Sequence, residues 1–287
     1  RNNANSGNFT PDWLWVKPRS ASDNHVLFDS TRGFDKQLKA NGSDAEDTHS
    51  PAKFTRETNG FDIDSTDGNY NGNSVTYVAW QWKCNNATTS TNNDGSVAVT
   101  LQTNSTAGFS IGTFTGTGNS SGTIGHGLGA KPDWLIVKRR DGSENWNNIL
   151  PNVDSKLLRL NTADASFTGS AINSVGASTF TDGNGNNAVF YAFKSIQGYS
   201  RFGEYVGNGN ADGTFIYLGF KPKFFLLKRF DASQHWYIFD SARSPFNPSN
   251  SAQQLSSSSA QETGYPMDFL SNGFKIRHSD GAWNSNG

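Results

Sequence analysis

The stretch "KPDWLIVKRR", residues 131–140, places large apolar side chains on both faces of one short strand. Successive side chains of a strand point to opposite faces, so Trp134 and Ile136 share one face while Leu135 and Val137 share the other. Burying each large side chain is worth about 1.5–3 kcal/mol, which makes either face too costly to leave in water. We therefore predict that both faces are covered, the second by a neighbouring repeat, a long loop or another subunit.

Two other stretches copy this one, "TPDWLWVKPR" at 10–19 and "KPKFFLLKRF" at 221–230, and each has a lysine six residues after a proline. The text that follows also repeats, since "HVLFDSTR" at 25–32 matches "HWYIFDSAR" at 235–243. Such internal similarity is typical of repeated structural units. The predicted packing residues are Trp13, Trp15, Trp134, Leu135, Val137, Phe225 and Leu227.

The rest of each copy consists of short apolar runs separated by Gly, Asn, Asp and Pro, which is typical of antiparallel β-sandwiches. The predicted fold is all-β, with tandem antiparallel β-sandwich modules of about 90 residues at 1–107, 108–197 and 198–287. By comparison of the copies, the first module lacks its opening strand and the third its closing strand. Because the chain starts at Arg1 and stops in a loop, we expect it to be a piece of a longer protein.

Composition excludes several classes of protein. The 287 residues include 30 Gly, 21 Phe and 8 Trp with a net charge of −1, so the basic field of a nucleic-acid binder is missing. No apolar run approaches the roughly 20 residues of a membrane-spanning helix, and we predict no membrane insertion. The one cysteine, Cys84, cannot form a disulfide within the chain and is expected to be inert.

His126 and three tryptophans are the candidates for chemistry or binding. His126 is the only ionisable side chain in the turn "GHGLG", but the third copy has Ile216 in its place, which favours a structural role. Aromatic rings among Asn, Asp and Ser can stack on sugars, or they can plug the core of each repeat. The candidate glycan-binding residues are Trp146, Trp236, Trp283 and His126.

Catalytic and metal sites are not expected. "DIDSTDG" at 62–68 resembles a calcium loop but lacks the later glutamate of an EF-hand. The pairs Asp29 with Arg32 and Asp240 with Arg243 recur in two copies, as structural ion pairs do. We predict no enzyme activity, no metal and no cofactor.

The chain resembles a repeat-domain family found in structural proteins of tailed, particularly marine, bacteriophages. The resemblance rests on "GFSIGTFTGTGNSSGTIGHGLGAKPDWLIVKRR" from Gly108, "IFDSARSPFNP" at 238–248 and "MDFLSNGFKIR" at 267–277, and it covers nearly the whole chain. It implies a non-enzymatic virion protein, a tail fibre or surface appendage with lectin-like β-sandwich character.

The resemblance also implies partners and a location. They are further copies of the chain in a homo-oligomer, such as a trimer, other virion proteins and host-surface polysaccharide, at the surface of the virion. Two alternatives stay open at this point. One is a secreted carbohydrate-binding module or glycan-degrading enzyme, and the other is a capsid decoration protein.

Overall fold

A computed structural model describes residues 9–119, 121–169 and 171–286. The predicted all-β class is confirmed, since antiparallel sheets account for almost all of the regular structure. The elements in chain order are β1 (Trp13–Pro18), β2 (Val26–Asp29), β3 (Gly33–Lys39), β4 (Asp47–Thr48), β5 (Phe54–Glu57), β6 (Gly60–Ile63), α1 (Gly68–Asn71), β7 (Tyr77–Trp82), β8 (Ser90–Asn92), β9 (Val99–Asn104), β10 (Phe109–Thr115), β11 (Thr123–Gly125), β12 (Trp134–Arg139), β13 (Asn147–Leu150), β14 (Asp154–Arg159), β15 (Thr179–Thr181), β16 (Asn187–Phe193), β17 (Phe215–Tyr217), β18 (Phe224–Leu227), β19 (Tyr237–Asp240), β20 (Ser249–Gln254), β21 (Glu262–Leu270) and β22 (Gly273–Ile276).

Three large sheets organise these strands. The first has the order β4-β3-β2-β1-β7, the second β14-β13-β12-β16-β10-β9-β8, and the third β17-β22-β21-β20-β19-β18. Two small sheets, β5-β6 and β11-β15, complete the pairing. Every pair of neighbouring strands within the three large sheets is antiparallel.

The repeated stretch forms the same local structure each time. Its copies are β1, β12 and β18, and each begins a meander of three strands: β1-β2-β3, β12-β13-β14 and β18-β19-β20. The registers correspond, with Leu14 opposite Phe28, Leu135 opposite Ile149 and Phe225 opposite Phe239. We call these the first, second and third meanders.

Each copy of the repeated strand divides its side chains between two cores. In β12, Leu135 and Val137 pack into a core of the second sheet, while Trp134 and Ile136 face inward. The inward face joins a core to which all three meanders contribute. This central core includes Trp13, Trp15, Trp80, Ile136, Trp146, Tyr191, Trp236, Ile238 and Leu255.

Aromatic contacts connect the meanders across the central core. Ring centroids lie 4.7 Å apart for Trp13 and Tyr191 and 5.7 Å apart for Trp80 and Phe224, which joins the first meander's sheet to the other two. The seven predicted packing residues are all buried. The prediction that both faces of β12 are covered is confirmed, and the cover is a neighbouring part of the same chain.

The third copy is covered less completely. Phe224 and Leu226, which occupy the inward positions of β18, are only half-buried. Both β1 and β12 have a strand on their second side, β7 and β16 respectively, whereas β18 ends its sheet. The position next to β18 is therefore where the three meanders differ.

The second sheet draws strands from both sides of the boundary predicted at residue 107. Strand β9 pairs with β10, so Phe109 lies opposite Asn104. The module boundaries at 107 and 197 stay predictions. No helix within the described part of the chain is long and apolar enough to span a membrane.

Truncating Leu135 tests the burial of the outer face. Leu135 is fully buried, so we expect Leu135→Ala to lower the free energy of unfolding by about 2–5 kcal/mol through lost packing and the cavity left behind. Urea denaturation measures this difference. Val206→Ala is the control, because Val206 is 70% exposed and its truncation is expected to change stability by less than about 0.5 kcal/mol. Equal effects of the two substitutions would contradict a covered outer face.

Candidate functional site

A lysine follows the apolar residues of each copy of the repeated strand, and it is fully buried at Lys17 and Lys138 and half-buried at Lys228. The ammonium group of each one donates a hydrogen bond to the carbonyl of the residue that follows it, and a second to a loop of a different meander. These second bonds run from Lys17 to Ser258 (3.2 Å), from Lys138 to Ser43 (3.1 Å) and from Lys228 to Ala163 (3.4 Å). The first meander thus bonds the third, the second bonds the first, and the third bonds the second.

A ring N–H repeats the same cyclic order. Trp146 Nε1 donates to the carbonyl of Lys39, and Trp236 Nε1 donates to that of Arg159, both at 2.9 Å. In the first meander the corresponding residue is His25, whose Nε2 lies 2.9 Å from the carbonyl of Gln254. The two sets of contacts link the three meanders of the chain in a closed ring.

Burial lowers the pKa of these side chains. It lowers the pKa of Lys17, Lys138 and Lys228 to about 8 in each case. It also lowers the pKa of His25 well below its ordinary value, and the nearby Lys17 charge adds to the effect. His25 is thus neutral at pH 7, and its Nδ1 accepts a hydrogen bond from Trp15 Nε1 at 3.0 Å.

The two predicted Asp–Arg pairs form, and each also bonds to another sheet. Arg32 contacts Asp29, which accepts a further hydrogen bond from the hydroxyl of Tyr191 at 2.7 Å. Arg243 lies 2.6 Å from Asp240, whose carboxylate accepts from Trp80 Nε1 at 3.0 Å. Each carboxylate therefore joins its own loop to a strand of another sheet.

His126 is a structural residue, as its replacement in the third copy suggests. It is fully buried, and its Nε2 lies 3.2 Å from the carbonyl of Gly176. Its Nδ1 accepts from the backbone N–H of Leu128 at 3.3 Å. Burial lowers the pKa of His126, so the ring is neutral with both nitrogens bonded to backbone groups.

The four residues predicted to bind glycan, Trp146, Trp236, Trp283 and His126, are all buried. Trp146 and His126 are fully enclosed, and Trp236 and Trp283 are each 4% exposed. Trp283 packs edge-on against Tyr237 with ring centroids 4.5 Å apart. Stacking on a sugar requires an exposed ring face, and the hydrophobic effect has placed these rings in the cores instead.

The remaining ionisable groups give no metal centre. Within residues 9–119, 121–169 and 171–286, no group of three or more His, Cys, Asp or Glu side chains is placed to hold a metal ion. In the calcium-like loop, the Asp67 side chain accepts from the backbone N–H of Asn69 and caps α1. Cys84 is buried, which raises its pKa to about 12 and keeps it a thiol.

A large cavity beside β18 is the candidate functional site. It has a volume of about 1710 Å³ and lies between β7, the segment 198–207 and β18. The large hydrophobic residues that the described chain leaves exposed all line it: Tyr199, Val206, Phe215, Tyr217, Phe230 and Phe246. Exposed apolar side chains that cluster on one surface mark an interaction or ligand-binding site in many proteins.

The cavity lies beside β18 where, among the described residues, no strand takes the place that β7 has beside β1 and β16 has beside β12. Its lining comes from segments far apart in the chain, so no single sequence motif marks it.

The fold and the cavity define an all-β sandwich protein with a ring of three related meanders and a cavity beside the edge strand β18. Residues 1–287 match the family described as a domain of unknown function, DUF7483, and the chain belongs to that family. No curated protein and no solved structure matches the chain.

Replacing Lys138 with methionine is expected to change how stability depends on pH. The pKa of Lys138 is about 8 in the folded chain, whereas an unfolded lysine titrates near 10.4. Between these values the unfolded chain binds more protons, so the free energy of unfolding rises as the pH increases. We expect Lys138→Met to reduce this rise by up to about 1 kcal/mol per pH unit.

Urea denaturation at about pH 7.5, 8.5 and 9.5 measures the slope. Lys83→Met is the matched control, since Lys83 is exposed at the end of β7 and its replacement should leave the slope as it is. Parallel slopes for Lys138→Met and the unmodified chain would show that the Lys138 ammonium is not buried.

Proposed function

We propose that this chain is a non-enzymatic structural protein of a bacteriophage virion, a tail fibre or another surface appendage. The observation that carries the proposal is the closed ring of meanders. Lysine ammonium groups and ring N–H groups bond one meander to the next in a single cyclic order. Such an interior suits a rigid building block, because moving one meander would break bonds to both others.

The use of the ionisable side chains supports a structural role. Asp29 and Asp240 are held by arginines and by donors from other sheets, and His126 has backbone partners on both ring nitrogens. General acid–base catalysis needs a side chain that reaches the substrate and exchanges protons with it. These groups instead stabilise the fold.

The polar segments lie on the outside, where a virion protein meets its partners. Residues 85–91, with the sequence "NNATTST", are all exposed. Asn, Ser and Thr side chains there can bond the hydroxyl groups of a host-surface polysaccharide or polar groups on other virion proteins. We propose that the chain assembles with further copies of itself, as a trimer, with this polar surface outward.

Locating the chain in particles tests this function. We expect mass spectrometry of density-purified phage particles from a host that carries the gene to find the chain at a fixed copy number per particle, retained after a high-salt wash. Structural components are held by extensive interfaces and survive such washing. Recovery of the chain only in the soluble lysate would contradict the virion role.

An activity assay distinguishes the enzymatic alternative. The purified chain, incubated with capsular polysaccharide of the same host, is expected to release no reducing ends above the level of a heat-denatured control. Release of oligosaccharides by the native chain alone would replace the proposal with a glycan-degrading enzyme.

A further inference from the structure

The three junctions between the meanders differ in one pair of residues. Trp146 donates from Nε1 across the junction of the second and first meanders, and Trp236 does so across the junction of the third and second. His25 holds this position at the junction of the first and third meanders. On the strand before it the exchange is reversed, because β1 has Trp15 where β12 has Ile136. The first meander thus has its tryptophan on the strand and a histidine at the junction.

The hydrogen bonds of His25 determine where its ring carries a proton. An indole N–H donates and does not accept, so the 3.0 Å contact from Trp15 Nε1 requires an unprotonated Nδ1. A backbone carbonyl only accepts, so Nε2 carries the proton and donates to the carbonyl of Gln254 at 2.9 Å. A second proton would bind at Nδ1 and would place two N–H groups face to face. The closed junction is therefore compatible with the neutral ring alone.

The environment of His25 opposes a second proton. The charged side chains on the elements that pack here are Lys17, Asp23, Asp240, Arg243 and Glu262. Burial lowers the pKa of His25 most, and the positive charges of Lys17 and Arg243 lower it further. The carboxylates act on other groups: Asp23 on Lys17, Asp240 on Arg243 at 2.6 Å, and Glu262 on the side chain of Gln254 at 2.9 Å.

A second difference leaves this junction with one carboxylate fewer. At the junction of the second and first meanders, Glu46 accepts hydrogen bonds from two arginines, one of each meander, at 2.8–2.9 Å. Gln261 takes the same place at the junction of the first and third meanders. Its Oε1 accepts from Arg19 at 2.9 Å and from Arg243 at 3.3 Å. The neutral amide adds no negative charge, so a proton on His25 is less well compensated here.

The place of this junction in the chain allows it to open alone. It closes the ring between residues that are 241 positions apart, Lys17 and Ser258. When it opens, the three meanders remain in a row in chain order, and the bonds of Lys138 and Lys228 still hold each meander to the next. Local opening of this kind is a common motion of folded proteins and costs less than global unfolding.

We propose that His25 is an acid-sensitive latch between the first and third meanders. A proton on Nδ1 breaks the hydrogen bond from Trp15 and places a positive charge in the central core. The junction then opens locally, the bonds from Lys17 and Arg19 to the third meander are lost, and the other two junctions stay closed. The latch is a property of the chain itself, so this inference goes beyond the virion role and does not depend on it.

The direction of the pH dependence follows from the burial of the ring. An exposed histidine titrates near pH 6.5, and the pKa of His25 lies well below its ordinary value when the junction is closed. Below about pH 6.5 the open form therefore binds more protons than the closed form, and opening becomes more favourable by up to about tenfold per pH unit. The junction is most stable above about pH 6.5 and weakens as the pH falls.

Three equivalent backbone amides report on the three junctions. They donate at 2.7–2.8 Å to a carbonyl of the neighbouring meander, from Gln261 to Arg19, from Glu46 to Arg140 and from Ser166 to Phe230. Hydrogen exchange followed by mass spectrometry at about pH 7, 6 and 5, corrected for the intrinsic exchange rate at each pH, gives their protection factors. We expect the protection of the Gln261 amide to fall by about tenfold or more over this range, and that of the other two to change by less than about threefold.

Exchanging the residue pair separates the latch from a general effect of acid. Trp15→Ile with His25→Trp gives the first meander the pair of the second and nearly keeps the volume, so the fall at Gln261 is expected to disappear. Ile136→Trp with Trp146→His makes the converse exchange and is expected to move the acid sensitivity to the Glu46 amide. His25→Gln is the single substitution that removes the titrating ring and retains a donor for the carbonyl of Gln254, and it too should abolish the fall.

His126→Asn is the matched control. His126 is equally buried, but it bonds the backbone of Gly176 and Leu128, away from the three junctions, so the fall at Gln261 should persist. Constant protection of the Gln261 amide down to about pH 5 would overturn the proposal, as would an equal fall in the His25→Gln chain. A fall shared by all three amides and by the amide of Leu160, which bonds the Trp146 carbonyl inside the second meander, would also overturn it, because that result indicates global unfolding.

Discussion

The burial of both faces of the repeated strand is the constraint on which the structure depends. One layer cannot cover both faces of a strand such as β12. One face of β12 therefore packs into the separate core of the second sheet, and the other face packs into the central core that the three meanders share. Three copies in one chain satisfy this requirement together by facing a common core. The aromatic side chains at the inward positions, Trp13 and Trp134 among them, fill that core.

The polar contacts follow from the same arrangement. Once three strands enter one core, the lysines that follow their apolar residues lie beside loops of neighbouring meanders, where backbone carbonyl groups accept hydrogen bonds from them. Buried polar groups are stabilised only when they are hydrogen-bonded, which explains why Trp146, Trp236 and His25 share one bonding pattern. The matching residues of the three copies thus form the same local fold and also make equivalent contacts with the neighbouring meander.

Sequence reasoning predicted the all-β class, the repeated strand and its two covered faces, because alternation and turn residues carry this information locally. It did not predict that Trp146 is buried and donates to the carbonyl of Lys39, because the residues next to Trp146 in the sequence carry no information on a contact so far along the chain. The cyclic order of the meanders also could not be predicted, because it depends on contacts between residues far apart in sequence. The cavity beside β18 is predictable only when the copies are compared strand by strand.

The central claim is that three meanders share one core, and calorimetry of the purified chain tests it most directly. If the core is shared, loss of one meander exposes apolar surface on the other two, and the chain unfolds as one cooperative unit. The account predicts a single transition whose van't Hoff enthalpy equals the calorimetric enthalpy, at a protein concentration where the chain is monomeric. Two or three separable transitions, each with its own enthalpy, would contradict a shared core and indicate independent modules.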